Sequence, residues 1–176
     1  LALARHEAQA TAGAPAQPVA LADLARQAVA EAAPAAQARA IDLGLAPLDA
    51  QAEHATVPGH PQALAILLRN LIDNAVKYTP EGGTVDVQVL REPGHLVLAV
   101  DDSGPGIPPA ERERVLQRFH RAPAQGAPQA EGSGLGLAIA EAIARLHGAR
   151  LALGTAPRLG GLRAEVHLPP GGEGAA

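Results

Sequence analysis

Tyr78 and Phe119 are the only aromatic residues in a chain of 176, so any core must be assembled from Ala, Leu, Val and Ile. Side chains of that size fill an interior only through long segments whose apolar positions repeat with a secondary-structure period. Such segments are present, and the length is that of one ordinary domain with short appendages.

The clearest period runs over residues 61–78. Leu64, Leu67, Leu68, Leu71, Ile72 and Ala75 make one apolar stripe, opened by Pro61 and closed by Thr79, Pro80 and the turn Glu81-Gly82-Gly83. An earlier amphipathic helix is predicted over about 21–39, on Leu21, Leu24, Ala25, Ala28, Val29 and Ala32, with Pro34 as a kink or stop. Residues 135–146 read as a third helix ending at Gly148, and 110–117 as a short charged one. Short strands are expected at 41–45 and 55–57. The alternating run 84–90 and the apolar run 96–100 form a hairpin about Pro93-Gly94, and 150–154 with 162–168 form another about Gly160-Gly161. Interleaved helices and hairpins predict an α+β fold: a two-layer sandwich with a mixed, mostly antiparallel sheet covered by helices on one face. Its bounds are expected at 19–169, after the end of an incoming helix (1–12) and a linker (13–18), and before a fraying tail (170–176).

Composition removes several classes of function. A net charge of −4 offers no basic field for a phosphate backbone, so nucleic acid is not an expected partner. Without cysteine there is no disulfide framework, thiolate zinc site or cysteine nucleophile, and the histidines form no metal-ligand cluster. The longest unbroken apolar run, 63–68, is too short to cross a bilayer, and no basic-then-apolar leader opens the chain. The sequence begins at Leu1 in mid-pattern, as expected of a piece cut from a longer protein.

Three segments carry chemistry. Asn70 and Asn74 lie four apart on the 61–78 helix, so their amides project from one face, with Lys77 three further on. Two readings stay open: helix-to-loop hydrogen bonding, or amide oxygens that help hold a hydrated Mg²⁺ against phosphates, with Lys77 as a phosphate contact. Asp102-Ser103-Gly104-Pro105-Gly106 follows the apolar strand. It is either a plain turn or a carboxylate that accepts from an exocyclic amine beside glycines that leave room for a flat base. Gly132-Ser133-Gly134-Leu135-Gly136 precedes a helix, where exposed backbone N–H groups and the helix dipole favour phosphate; a flexible hinge is the alternative.

In order and spacing the chain resembles the ATP-binding catalytic domain of bacterial sensor histidine kinases, in the wider family of gyrase and the large heat-shock chaperones. The resemblance covers about residues 18–169. It rests on LRNLIDNAVKYTP (68–80, the N box), DSGPGIP (102–108, the first glycine box), RFHR (118–121, the F box) and GSGLGLA (132–138, the second glycine box). It implies the Bergerat ATP-binding fold, with ATP and Mg²⁺ as cofactors and ADP as a further ligand. Asn74, with Asn70 beside it, is implied to hold Mg²⁺, Lys77 to contact phosphate, and Tyr78 to pack near adenine. Asp102 is implied to accept the adenine amine, Gly104, Gly106 and Ile107 to shape the base pocket, and Gly132, Ser133, Gly134, Leu135 and Gly136 to frame the phosphates. Phe119 is implied to anchor a lid over 120–132, with Arg118 and Arg121 as γ-phosphate contacts; core filling is the alternative for Tyr78 and Phe119.

At His60 the family more often has an acidic helix cap. No phospho-acceptor histidine is expected on this chain: His6-Glu7 imitates one, yet stands only 64 positions before Asn70 and against a linker. The implied partners are the protein's own dimerisation and phospho-acceptor domain and a response regulator. The full-length protein is implied to be a homodimer anchored in the bacterial inner membrane, with this domain in the cytoplasm. A gyrase-like or chaperone-like machine is the enzymatic rival, though that branch places a glutamate before the first asparagine, where this chain has Arg69. An anti-sigma-type serine kinase or nucleotide-binding module is the alternative.

Overall fold

The computed structural model describes residues 15–117 and 134–171. Strand β1 (Gln17–Ala20) leads into helix α1 (Leu21–Gln37), strand β2 (Asp42–Leu45), the one-turn helix α2 (Ala50–Glu53) and strand β3 (Thr56–Gly59). Helix α3 (Pro61–Tyr78), strands β4 (Thr84–Glu92) and β5 (His95–Asp102), helix α4 (Gly136–Leu146) and strands β6 (Leu151–Thr155) and β7 (Leu162–Leu168) complete it. Five strands form the main sheet in the order β2-β4-β5-β7-β6, with β2 parallel to β4 and every other pair antiparallel. The fold is α+β, as expected.

One face of the sheet carries the core. Val85, Val87 and Val89 on β4, Leu96, Leu98 and Val100 on β5, and Ala164, Val166 and Leu168 on β7 join one apolar cluster with α1, α3 and α4. The α3 stripe of Leu64, Leu67, Leu68, Leu71 and Ile72 is fully buried against it. Each such side chain contributes roughly 1.5–3 kcal/mol relative to exposure, so aliphatic residues suffice without aromatic filling. On the opposite face a row of polar side chains, Gln88, Asp101, Arg163, Glu165 and His167, runs across β4, β5 and β7. Between them Val97 and Ala99 are fully buried.

Four elements differ from the sequence reading. Pro34 does not stop α1, which runs one turn further to Gln37; a proline this near the end removes a single ladder donor, and its own carbonyl still accepts from the Ala38 N–H. The charged stretch 110–117 forms two 3-10 turns, Pro109–Glu111 and Arg114–Leu116, because Val115 alone is buried there and no apolar stripe holds a longer helix against the core. β1 pairs with β3 through Pro18 opposite Pro58, on a two-stranded ribbon where every strand is an edge and proline is tolerated. Helix α2, capped by Asp49 accepting from the Ala52 N–H, is too short to show a period.

Candidate nucleotide-binding site

Residues from the second half of α3, the end of β5, the start of α4 and the β6–β7 turn come together. Asp102 ends β5 on the helix-facing side of the sheet and is 3% exposed. Its Oδ1 accepts from the N–H groups of Gly104 (2.8 Å) and Leu162 (3.0 Å), while its backbone carbonyl accepts from Gly161 (3.1 Å). Burial raises the Asp102 pKa; the two N–H donors oppose that shift and the neighbouring Asp101 charge adds to it. Oδ1 is thus fixed by backbone, and Oδ2 is left as an acceptor for an incoming donor such as an exocyclic amine.

Glycines bring the surrounding backbone close to this carboxylate. A Cβ on Gly161 would stand 2.3 Å from both the carbonyl and Oδ1 of Asp102, and one on Gly104 would stand 2.9 Å from the Tyr78 carbonyl. Gly106 adopts φ +70° and passes over Gly161. Ser103 turns away to accept from the Thr84 N–H with its hydroxyl, tying the loop to the start of β4. Ile107 packs on the core, and its carbonyl accepts from Arg112, whose guanidinium also donates to Thr155 on β6.

The α3 residues form the other side. Asn70 donates from Nδ2 to the Ile66 carbonyl (2.8 Å), which turns its Oδ1 toward α4: a Cβ on Gly136 would lie 3.2 Å from that oxygen. One turn on, the Asn74 amide makes no hydrogen bond among the described residues and is only partly buried. Gly134 has φ +66°, and Leu135 stands at the N-cap of α4, where no side chain among the described residues caps the first-turn N–H groups, an arrangement suited to an anion. Tyr78 is 38% exposed, so it is not core filling, and Lys77 Nζ sits 5.0 Å from its ring centre.

Arg39 was not singled out by the sequence. From the α1–β2 turn its guanidinium donates to the carbonyls of Val76, Lys77 and Thr79, closing the C-terminus of α3 where the helix dipole favours a cation. At the other end His60 gives α3 no side-chain cap, as expected; its backbone N–H donates instead to Nε2 of the buried His147 (3.1 Å) at the end of α4. His147 Nδ1 lies 2.8 Å from the Ile143 carbonyl, and burial lowers the His147 pKa. The neutral ring thereby joins α3 to α4.

Asn70, Asn74, Lys77, Tyr78, Asp102, Gly104, Gly106, Ile107, Gly134, Leu135 and Gly136 are therefore placed around one region. Arg118, Phe119, Arg121, Gly132, Ser133 and the lid expected over 120–132 lie outside the described residues, as does His6. Sequence reasoning missed Gly161 and Leu162; the Gly160-Gly161 pair was visible, but only as a turn.

The chain matches the model of the family described as histidine kinase-, DNA gyrase B- and HSP90-like ATPases over residues 59–172. It is 39% identical over 152 residues to the sensor protein kinase PmrB of Pseudomonas aeruginosa, covering 86% of this chain and 30% of that protein. Among solved structures it is similar to a mycobacterial sensor histidine kinase MprB, with TM-score 0.72 and 31% identity over 88% of this chain and 97% of that one. It is also similar to the ATP binding domain of PrrB from Mycobacterium tuberculosis, with TM-score 0.70 and 30% identity over 89% and 98%. The chain spans under a third of the length of the curated relatives it matches. With the order of its motifs and the closing of Gly161 and Leu162 around Asp102, the chain belongs to the family of histidine kinase-, DNA gyrase B- and HSP90-like ATPases.

Proposed function

We propose that this chain is the nucleotide-binding catalytic domain of a two-component sensor histidine kinase, and that it positions Mg·ATP for attack by a histidine on a separate helical domain. The observation that carries the reading is Asp102: a buried carboxylate with one oxygen fixed by two backbone N–H groups and the other open, beside a glycine loop that admits a flat base. In the transfer the histidine nitrogen bonds to the γ-phosphorus, the bridging P–O bond breaks, ADP leaves with that electron pair, and the ring gives up its proton. This chain's part is positioning and charge neutralisation.

Asn70 Oδ1 and the Asn74 amide, which has no partner among the described residues, fit a magnesium ion, since they are hard neutral oxygen donors one turn apart and the phosphates supply the negative charge. When bound, the ion neutralises charge on the phosphate oxygens. Lys77 would supply a cation to the phosphate oxygens, and the first-turn N–H groups of α4 would supply further donors to them.

The full-length protein is, in this reading, a membrane-anchored homodimer with this domain in the cytoplasm, whose phosphohistidine passes its phosphoryl group to an aspartate of a response regulator. No helix among the described residues is long and apolar enough to cross a membrane. Calorimetry with ATP and Mg²⁺ tests the central claim. Binding in the micromolar range, about −6 to −8 kcal/mol, is expected. Absence of binding at millimolar nucleotide overturns it.

A further inference from the structure

The geometry points to Arg163 as a positioning residue for adenine recognition, acting through Asp101 from the face of the sheet opposite Asp102. This rests on the assignment of Asp102 to the adenine amine. Asp101 and Arg163 are the last cross-strand pair of the β5–β7 ladder. Beyond that rung only two hydrogen bonds join the strands, Gly161 N–H to the Asp102 carbonyl and Leu162 N–H to Asp102 Oδ1, and both belong to the site. Whatever holds the start of β7 against the end of β5 therefore also sets the donor to Oδ1.

Arg163 supplies that hold. Its Nη1 donates to both oxygens of Asp101, at 3.0 and 3.1 Å, and its Nε donates to Glu165 on its own strand. Gln88 on β4 donates to Asp101 Oδ2 (2.8 Å), so the Asp101 carboxylate is gripped from both neighbouring strands. The pair is well shielded, with Asp101 2% exposed and the Arg163 side chain largely buried. A shielded pair gripped on both sides keeps one geometry, unlike a solvated ion pair. Arg163 also answers a charge problem, because Asp86 lies directly across from Asp101 and Asp102 follows it in sequence. Without the guanidinium, the buried Asp101 carboxylate keeps only the Gln88 amide as a side-chain donor, with the Asp86 carboxylate, which Arg158 approaches at 3.9 Å, on the same face.

The test compares ATP with inosine triphosphate, which has a carbonyl in place of the amine that Asp102 accepts. In the chain carrying Arg163→Met, ATP affinity is expected to fall about tenfold while inosine triphosphate affinity holds, so the ratio of the two falls about tenfold. Arg163→Lys, which keeps a cation beside Asp101, is expected to restore most of the ratio. Should Arg163→Met fail to fold, the same substitution in an Asp101→Asn background leaves no unpaired buried carboxylate and carries the same measurement. Equal loss of both nucleotides, or an unchanged ratio, overturns the role of Arg163. A wild-type chain without preference for ATP, or a preference that Asp102→Asn leaves intact, overturns the adenine assignment and this inference together.

Discussion

Asp102 and Asn74 occupy two ends of one site and are held in opposite ways. At the base end the carboxylate is clamped by main-chain N–H groups from two directions, and glycine at 104 and 161 is what lets that backbone approach. At the phosphate end Asn74 and Lys77 project from a helix with free or loosely engaged tips, and only Asn70 is tied down. A base is flat and always presents the same edge, so a fixed acceptor suits it. Phosphates and a hydrated ion arrive as a charged group that rearranges during transfer, and side chains able to follow it suit that end.

The contrast is most severely tested by Gly161→Ala. Its methyl would overlap Asp102 and Gly104, so we expect a loss of about 3 kcal/mol in stability and of roughly a hundredfold in ATP affinity, read by melting and calorimetry. ATP binding within tenfold of wild type would show that the base end yields as easily as the phosphate end. Asp102→Asn comes next. It keeps an acceptor at Oδ1 and turns the open oxygen into a donor, costing about 1–3 kcal/mol of ATP affinity. Because burial raises its pKa, ionised Asp102 destabilises the empty fold: its favourable contribution is complete below the unfolded carboxylate range and is lost as pH rises through the folded value. At pH 7 the unliganded Asp102→Asn chain should therefore melt no lower than wild type.

A smaller effect separates the helix junction from both ends. The His147 pKa is lowered by burial, so the stability it gives is complete above the unfolded histidine value of about 6.5 and is lost as pH falls through the lower folded value. Nε2 then becomes a donor facing the His60 N–H. Melting of wild type and His147→Gln between pH 7.5 and 5 checks this; parallel curves would remove His147 as the cause. The smallest change in stability belongs to Asn74→Ala, within about 0.5 kcal/mol because no hydrogen bond among the described residues is broken and Ala favours helix. Its ATP affinity should lose its dependence on Mg²⁺. A large drop in melting temperature would make Asn74 a structural residue.

What was legible in the sequence followed periodicity and local chemistry. The α3 stripe, the β4–β5 hairpin and the Gly148 stop (φ +68°) are written within single segments, and the structure agrees with them closely. Gly161 and Arg39 were illegible for a shared reason. The first acts on a carboxylate 59 positions earlier and the second on carbonyls 37 to 40 positions later, so neither leaves a local pattern. The 3-10 turns were misread because charge suggested the solvated face of a helix, while the single buried residue Val115 gives no apolar stripe to hold one against the core.

The bond from Leu162 to Asp102 spans 60 residues and is made by the last strand. During synthesis α3, the first glycine loop and α4 all emerge before it can form, so the full set of donors around Asp102 is assembled only once β7 has emerged. A product truncated before residue 161 would retain most of the helical layer but leave the hydrogen-bonding edge of β5, which β7 covers, open to pairing with other chains. Premature termination here should produce an aggregating fragment rather than a weak ATP binder.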